Sequence, residues 1–553
     1  MAGQTHGDTA DLLASGWAHL HAAEWEAARG AFSEALAHRE TPEALEGLGW
    51  AAWWLDDAET VFPARERAFR LYRSCDDPAS AARVGIWIAS DHLDFRGAVA
   101  VSSGWLRRAR RLLVAMDTRP EHGWLTFHEG YLAALAGDVV VARQRAAQTA
   151  EVGRHLDAPD LEMLGLALDG SLLVSRGEID EGMRRLDEAG AMAGEATIPI
   201  SSGWAWCFLI TACTTVLDLD RAAAWCVRTA ELADRFGSRY LRAFCRAEYG
   251  AVHVWRGRWS DAEELLESSI EDFSRSRPAM VGGALVELAE LRRRQGRLDE
   301  VARLLERAGA TGPALLCRAR VEFDRGRPLH SAELVERVLR QSPPESKVDR
   351  APALEHLVRS RVASGELDRA VAALGELWEV EKLVATEPVH ALAEVCDALV
   401  AAAGGDHESA RSSLESAVDR FTRCGTPFEA ARARLELTTS LIALGQLDLA
   451  AQEAGAAATS LDRLGAEVES GRAHRLLDVA TNPAGLAVTR RERDVLVLLA
   501  EGLTNRQIAA QLVVSEHTVH RHVTNILRKL DLPSRTAAAA YVVRSGLTAG
   551  RHG

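Results

Sequence analysis

The sequence predicts an all-α chain, a long helical-repeat solenoid followed by a small four-helix head. Three observations predict it. A short pattern built on a turn residue recurs along most of the chain at nearly constant spacing. No strand-rich stretch alternates with helical patterns, as a parallel sheet would require. Residues 488–547 carry two capping signatures, a tight turn and a helix with sharply sorted faces.

The repeat defines the body. In each copy a Gly or other turn residue is followed by a hydrophobic residue two positions later and a small residue five positions later. Copies stand at Ala23/Trp25/Ala28, Gly97/Val99/Ser102, Gly137/Val139/Ala142, Gly177/Ile179/Gly182, Leu217/Leu219/Ala222 and Gly257/Trp259/Ala262. They continue at Gly296/Leu298/Val301, Gly326/Pro328/Ser331, Gly365/Leu367/Ala370, Gly405/His407/Ala410 and Gly445/Leu447/Ala450. From 97 to 257 every step is 40 residues, and the next five are 39, 30, 39, 40 and 40. A degraded copy is expected to start at Asp57. An antiparallel helix pair explains the pattern. The turn residue closes the hairpin, the small residue lets the second helix approach the first, and an apolar residue near the ninth position fills the joint. Phe32, Leu106, Leu186, Leu266, Leu305, Leu374 and Leu414 hold that last place.

These units resemble tetratricopeptide repeats. The first matches best, through Gly16, Ala23, Trp25, Ala28, Phe32 and Ala35. The 40-residue period exceeds the ~34 of that repeat, so the helices are expected to be longer. Such units cannot bury their apolar faces alone and stack into a curved superhelix. The repeat region is placed at residues 1–480, with the pattern itself running over about 8–478.

Composition narrows the function. At 553 residues, 47% hydrophobic and 26% charged, the chain is an ordinary globular sequence. It has no apolar run near the ~20 residues that span a bilayer, and its N-terminus lacks the basic and apolar parts of a secretory signal. The eight cysteines form no Cys-x-x-Cys pair. They read as small core residues in a reducing compartment, with a redox switch within Cys207–Cys245 as the minority reading. A cytoplasmic protein is expected, associated with the nucleoid when on DNA. The lysines are Lys347, Lys382 and Lys529, and none follows Gly, so no phosphate-cradling loop is present. Ala487–Leu547 holds nine basic and five acidic residues, against 56 and 74 in the remainder. An acidic body with a basic tail suits contact between the tail and a polyanion.

Pro483 and Gly485 mark a linker at residues 481–486, and the head is placed at 487–550. Thr489 and Glu492 form a capping box opening a first helix, whose apolar face is Val495, Leu496, Leu498 and Leu499 and which Gly502 can end. Thr504 and Gln507 form a second box, opening a short helix with Ile508, Ala509 and Leu512 inward. After a turn at Val513–Val514, Ser515 caps a third helix, with Glu516 at its positive end. Val519, Val523, Ile526, Leu527 and Leu530 form one stripe of that helix. His517, Arg521, Thr524 and Arg528 lie opposite, with His520 on the flank. A fourth helix runs from Ser534 to about Ser545. This is helix-turn-helix geometry, in which the outward face of the third helix enters a major groove.

The head resembles the LuxR-type helix-turn-helix. The matches include Thr489, Arg491-Glu492, Val495-Leu496, Gly502, Asn505, Ile508-Ala509, Ser515, Thr518-Val519, His522, Asn525-Ile526, Lys529-Leu530 and Ser534-Arg535. Arg490 and Asp531 depart from the family pattern, and Asp531 brings a negative charge toward the DNA side. The resemblance implies base-edge contacts from His520, Arg521 and Thr524, to which geometry adds His517 and Arg528. Ser515, Thr518, Lys529, Arg535 and the backbone near Asn505 are expected to hold phosphates, which gives affinity without sequence information. His517 and His520 share a face, but His522 points elsewhere and no fourth ligand is near, so no metal is expected. His522 is expected to be partly buried.

Thirteen of the fourteen tryptophans precede position 260. Repeat core explains most of them, since Trp17, Trp25 and Trp259 fall at packing positions; an aromatic-lined groove on the concave face is the functional reading. No catalytic constellation has interpretable spacing, so neither an enzyme nor a cofactor is expected. The chain resembles the large ATP-dependent LuxR regulators without their nucleotide-binding module. The expected function is a transcriptional regulator binding promoter DNA as a homodimer. Its repeats would bind a protein, peptide or small-molecule effector that gates the head, and RNA polymerase is a further candidate partner. The alternative is a solenoid interaction scaffold whose head mainly docks or dimerises.

Overall fold

The computed structural model describes residues 2–194, 199–481, 490–530, 532 and 534–545. Every regular element among them is helical. The first pairs are α1 (Ala2–His21) with α2 (Trp25–His38), α3 (Pro42–Trp54) with α4 (Ala58–Ser74), α5 (Pro78–Arg96) with α6 (Val99–Leu113), and α7 (Pro120–Leu135) with α8 (Val139–Leu156). Next come α9 (Pro159–Arg176) with α10 (Ile179–Met192), α11 (Pro199–Thr215) with α12 (Leu219–Arg235), α13 (Arg239–Trp255) with α14 (Trp259–Ser276), and α15 (Val281–Arg294) with α16 (Leu298–Ala308). The last are α17 (Gly312–Asp324) with α18 (Pro328–Gln341), α19 (Ala351–Ala363) with α20 (Leu367–Val384), α21 (Glu387–Ala403) with α22 (His407–Arg423), and α23 (Pro427–Ala443) with α24 (Leu447–Leu464). A single helix, α25 (Glu467–Thr481), follows. The head supplies α26 (Arg490–Ala500), α27 (Asn505–Leu512), α28 (Glu516–Lys529) and α29 (Arg535–Ser545).

The turn position of each pair lies in the left-handed region. Nine of these positions are Gly, with φ between 62° at Gly97 and 93° at Gly177. Glycine reaches this region without steric cost. Ala23 and Leu217 hold the same place with φ of 61° and 58°. The degraded second copy turns at Asp56, with φ 61°, one residue before its expected start. Asp57 is instead the N-cap, its carboxylate accepting from Thr60 N at 3.1 Å. Asp138, Asp218 and Asp406 do the same at their own helix starts.

The small residues at the fifth position are all buried, from Ala28 to Ala450, and so are the apolar residues at the ninth. Helices α9 and α10 pack with backbone against backbone, as α8 and α9 do. A Cβ on Gly170 would meet the Gly182 carbonyl oxygen at 2.8 Å, and one on Gly182 would meet the Gly170 oxygen at 2.8 Å. Longer helices fill the 40-residue units, and α8 and α9 each run 18 residues. The single 30-residue step is absorbed by shortening, with α16 at 11 residues and α17 at 13.

Cα compactness divides the chain into Met1–Ala430 with Leu464–Glu467, and Ala431–Arg463 with Val468–Gly553. The first unit packs along a superhelix that meets itself. Trp25 Nε1 donates to Phe236 O at 2.9 Å across 211 residues. Arg277 reaches Asp56 at 2.7 Å across 221, and Thr386 Oγ1 donates to Val216 O at 2.7 Å across 170. The core also holds ionic groups. Arg65 and Asp91 pair at 2.9 Å, both buried. The guanidinium also lies over Trp50, 4.6 Å from its centroid, so a ring face adds to the ion pair. No cysteine forms a disulfide. Burial pushes the Cys245 thiol up to about 12 and raises Cys207 well above the usual range, opposite to an activated thiolate. No helix among the described residues is long and apolar enough to cross a membrane.

Candidate nucleic-acid interface

The head is built around one apolar cluster. Val495, Leu496 and Leu499 from α26, Ile508 from α27, Val519 and Ile526 from α28, and Ala538 and Val542 from α29 are buried in it. Thr504 opens α27 with a reciprocal capping box, Thr504 N donating to Gln507 Oε1 at 2.8 Å and Gln507 N to Thr504 Oγ1 at 3.4 Å. Ser515 caps α28, accepting from Thr518 N at 3.1 Å. Between them Val513, almost wholly exposed, turns the chain at φ 54°. Thr489 and most of the residues 481–486 lie outside the described residues, as does Asp531; nor is the Arg490 side chain described.

Helix α28 sorts its faces as its sequence requires. Val519, Val523 and Ile526 are buried, while His517, His520, Arg521, Thr524 and Arg528 are all exposed on the other side. The Thr524 hydroxyl donates to His520 O at 3.0 Å within the helix. No side-chain partner engages the Arg521 or Arg528 guanidinium among the described residues. His522 is half-buried.

The residues expected at phosphates are more occupied. Lys529 Nζ lies 2.7 Å from Glu492 Oε2, and that carboxylate is buried. Arg535 donates to Asn505 Oδ1 at 2.6 Å and to the Leu503 carbonyl, tying α29 to the start of α27. Ser515 and Thr518 share their hydroxyl hydrogen bond at 2.7 Å. A further brace, Arg491 to Leu512 O at 2.6 Å, is absent from the sequence reading. These braces join residues 21 to 37 positions apart, which helix periodicity does not register.

Four short helices, a capped third helix and its outward polar row define a helix-turn-helix DNA-binding domain. Residues 487–542 match the family described as bacterial regulatory proteins, luxR family. The head is therefore a luxR-family domain at the C-terminal end of an all-helical chain. It is 48% identical over 61 residues to the transcriptional regulatory protein LiaR of Bacillus subtilis (strain 168), covering 11% of this chain and 29% of that one. To the nitrate/nitrite response regulator protein NarL of Escherichia coli (strain K12) it is 49% identical over 55 residues, covering 10% and 26%. The chain thus spans roughly a quarter of the length of the curated relatives it matches. Among solved structures, the APC/C hetero-tetramer Cut9-Hcn1 aligns over 97% of this chain and 96% of its own at 12% identity, TM-score 0.45. A Rap protein complexed with competence and sporulation factor aligns over 73% and 99% at 11% identity, TM-score 0.39.

The tryptophans serve both core and cavity, Trp87 and Trp124 belonging to both. Trp53 and Trp259 are buried. Trp50, Trp54, Trp87 and Trp124 line a cavity of about 620 Å³ in the first unit, beside Arg83 and Glu46. Those two charges neutralise each other through a two-pronged hydrogen bond at 2.7 and 2.8 Å.

Proposed function

We propose that the chain is a transcriptional regulator that reads double-stranded promoter DNA through α28, as a homodimer on a two-fold site. The observation that carries this reading is the exposed row His517, His520, Arg521, Thr524 and Arg528 on a helix whose opposite face is locked into the core. Arg521 presents an unengaged guanidinium, the group that pairs bidentately with guanine. Ser515, Thr518 and the start of α27 at Asn505 supply backbone and hydroxyl donors to phosphates, with Lys529 and Arg535 bracing the frame from which they act. The helical repeats receive a protein, peptide or small-molecule signal that gates the head. The relatives' names support regulation rather than catalysis. The cytoplasm, and the nucleoid when on DNA, is where such a protein works, and RNA polymerase is a candidate partner at the promoter.

The test is recovery of genomic fragments bound by the full-length protein, followed by titration of the enriched sequence across salt. A shared two-fold site bound with a steep salt dependence is expected. If no sequence is enriched and low-salt binding is absent, the head serves docking or dimerisation within a scaffold.

A further inference from the structure

A second cavity of about 280 Å³ lies in the first unit, walled by α5, α7, α9, α11 and α13. Its size is near the lower end of the ~300–1,000 Å³ typical of small-molecule sites. Half of the lining residues are aromatic, His128 included. Trp204 stacks on Phe127 with centroids 5.6 Å apart and meets the His128 ring edge-on at 5.7 Å. Tyr131 and Tyr240 present their rings to the same space. Faces of aromatic rings attract cations through their quadrupoles.

Two polar groups in this wall, the half-buried Asp94 and the buried His128, are short of partners. Asp94 lines the cavity and takes part in no ion pair among the described residues; its hydrogen bond comes from Ser90 Oγ at 3.2 Å. The cations that could neutralise it are committed elsewhere. Arg65 is paired with Asp91, and Arg277 with Asp56 and the Trp53 carbonyl. Burial pushes the Asp94 carboxyl up to about 6; the Arg277 charge opposes this without pairing with it, and Asp91 adds a like charge. His128 is buried with its Nε2 lacking a hydrogen-bond partner, and burial pushes the ring down to about 3, so it is neutral. The cavity therefore carries one carboxylate, one neutral imidazole nitrogen and an aromatic cage, with no cation of its own.

We infer that this cavity is a ligand site for a small organic cation, an ammonium group on a compact apolar body. The ammonium donates to the Asp94 carboxylate and to His128 Nε2, while its body lies between Trp204, Phe127 and the tyrosines. A neutral or anionic ligand of the same shape leaves Asp94 uncompensated. As the signal to the head, this site rests on the regulatory reading above. As a binding site it is read by direct titration, so a failure in either assay leaves the other result intact.

Calorimetric titration of the full-length protein with phenethylamine, phenethyl alcohol and phenylacetate tests it. Phenethylamine is expected to bind roughly tenfold to a hundredfold more tightly than the alcohol, the range of a hydrogen bond to a charged group. Phenylacetate is expected not to bind. Asp94→Asn, which keeps the side-chain volume, should bring the amine down to the affinity of the alcohol. Equal binding of amine and alcohol, tighter binding of phenylacetate, or no binding of any probe would overturn the inference. The wild-type contrast decides the matter even if the variant does not fold.

Discussion

Lys529 Nζ sits 2.7 Å from Glu492 Oε2, which ties the last turn of α28 to the first turn of α26. The carboxylate is buried and the lysine half-buried. Lys529→Ala should therefore act on the fold before it acts on DNA. Taking the lysine away from the buried Glu492 carboxylate costs about 1–3 kcal/mol, and the amides of α26 and α28 in the full chain should exchange faster with solvent. If exchange is unchanged while affinity for every sequence falls alike, Lys529 serves DNA alone and the pair contributes nothing.

Arg521 presents the opposite case, an exposed guanidinium with no partner among the described residues to lose. Arg521→Ala should leave amide exchange as it is and cost roughly 1–3 kcal/mol on the enriched site, with discrimination relaxed at one base pair. Competition titrations against single-base variants of the site would measure this. A uniform loss across all variants would reassign Arg521 to the phosphates.

Val513 holds φ 54° in the turn between α27 and α28, a conformation β-branched residues resist. It is nearly fully exposed, so its side chain contributes little packing in return. Val513→Gly should stabilise the head by about 1 kcal/mol. A higher denaturation midpoint for the head, with DNA affinity intact, is the expected reading. A lower midpoint would mean that glycine's greater freedom in the unfolded chain outweighs the relieved strain.

The repeat was legible because packing of two helices imposes a period. Ala142, Ala222 and Ala262 had to be small, and Leu186 and Leu266 had to be apolar, wherever the chain turned back. Leu217 marks the limit of that reading. Its place in the register was readable, but its left-handed φ of 58° follows from the turn and not from its own side chain. The second copy shows a related limit, since Asp57 begins the helix as a cap and the turn belongs to Asp56. Contacts such as Trp25 with Phe236 depend on superhelical pitch, which accumulates over many repeats and has no local signature. In the head, the two faces of α28 were readable from spacing alone. The attachments of Lys529 and Arg535 were not, because a cation's partner is fixed by tertiary approach.

Gly170 and Gly182 face each other where α9 crosses α10, each carbonyl 2.8 Å from where the other's Cβ would lie. Backbone cannot rotate away as a side chain can. Gly170→Ala should force the pair apart and destabilise it by about 1–3 kcal/mol, although alanine is the better helix former. Circular dichroism during urea unfolding would register the loss. An unchanged midpoint would show that the two helices can slide apart without losing contacts elsewhere.

His356 is buried in the first unit, its Nε2 3.0 Å from Ser331 Oγ, and burial pushes it down to about 3. The unfolded chain binds a proton there near pH 6.5 and the folded chain does not. Stability from this group is thus complete above pH 6.5 and is lost as the pH falls toward 3. Between pH 7 and pH 5 the loss is about 2 kcal/mol. Asp91 and Glu248, pushed up by burial to about 6 and about 7, work in the other direction, since their contributions fade as the pH rises. The readout is therefore the difference between wild type and His356→Gln, in which those carboxyls cancel. The variant's stability should change less destabilisingly on going from pH 7 to pH 5, by about 2 kcal/mol. Parallel pH profiles for the two proteins would mean that His356 takes up a proton in the folded state, and that the Ser331 hydroxyl and its surroundings accommodate the charge.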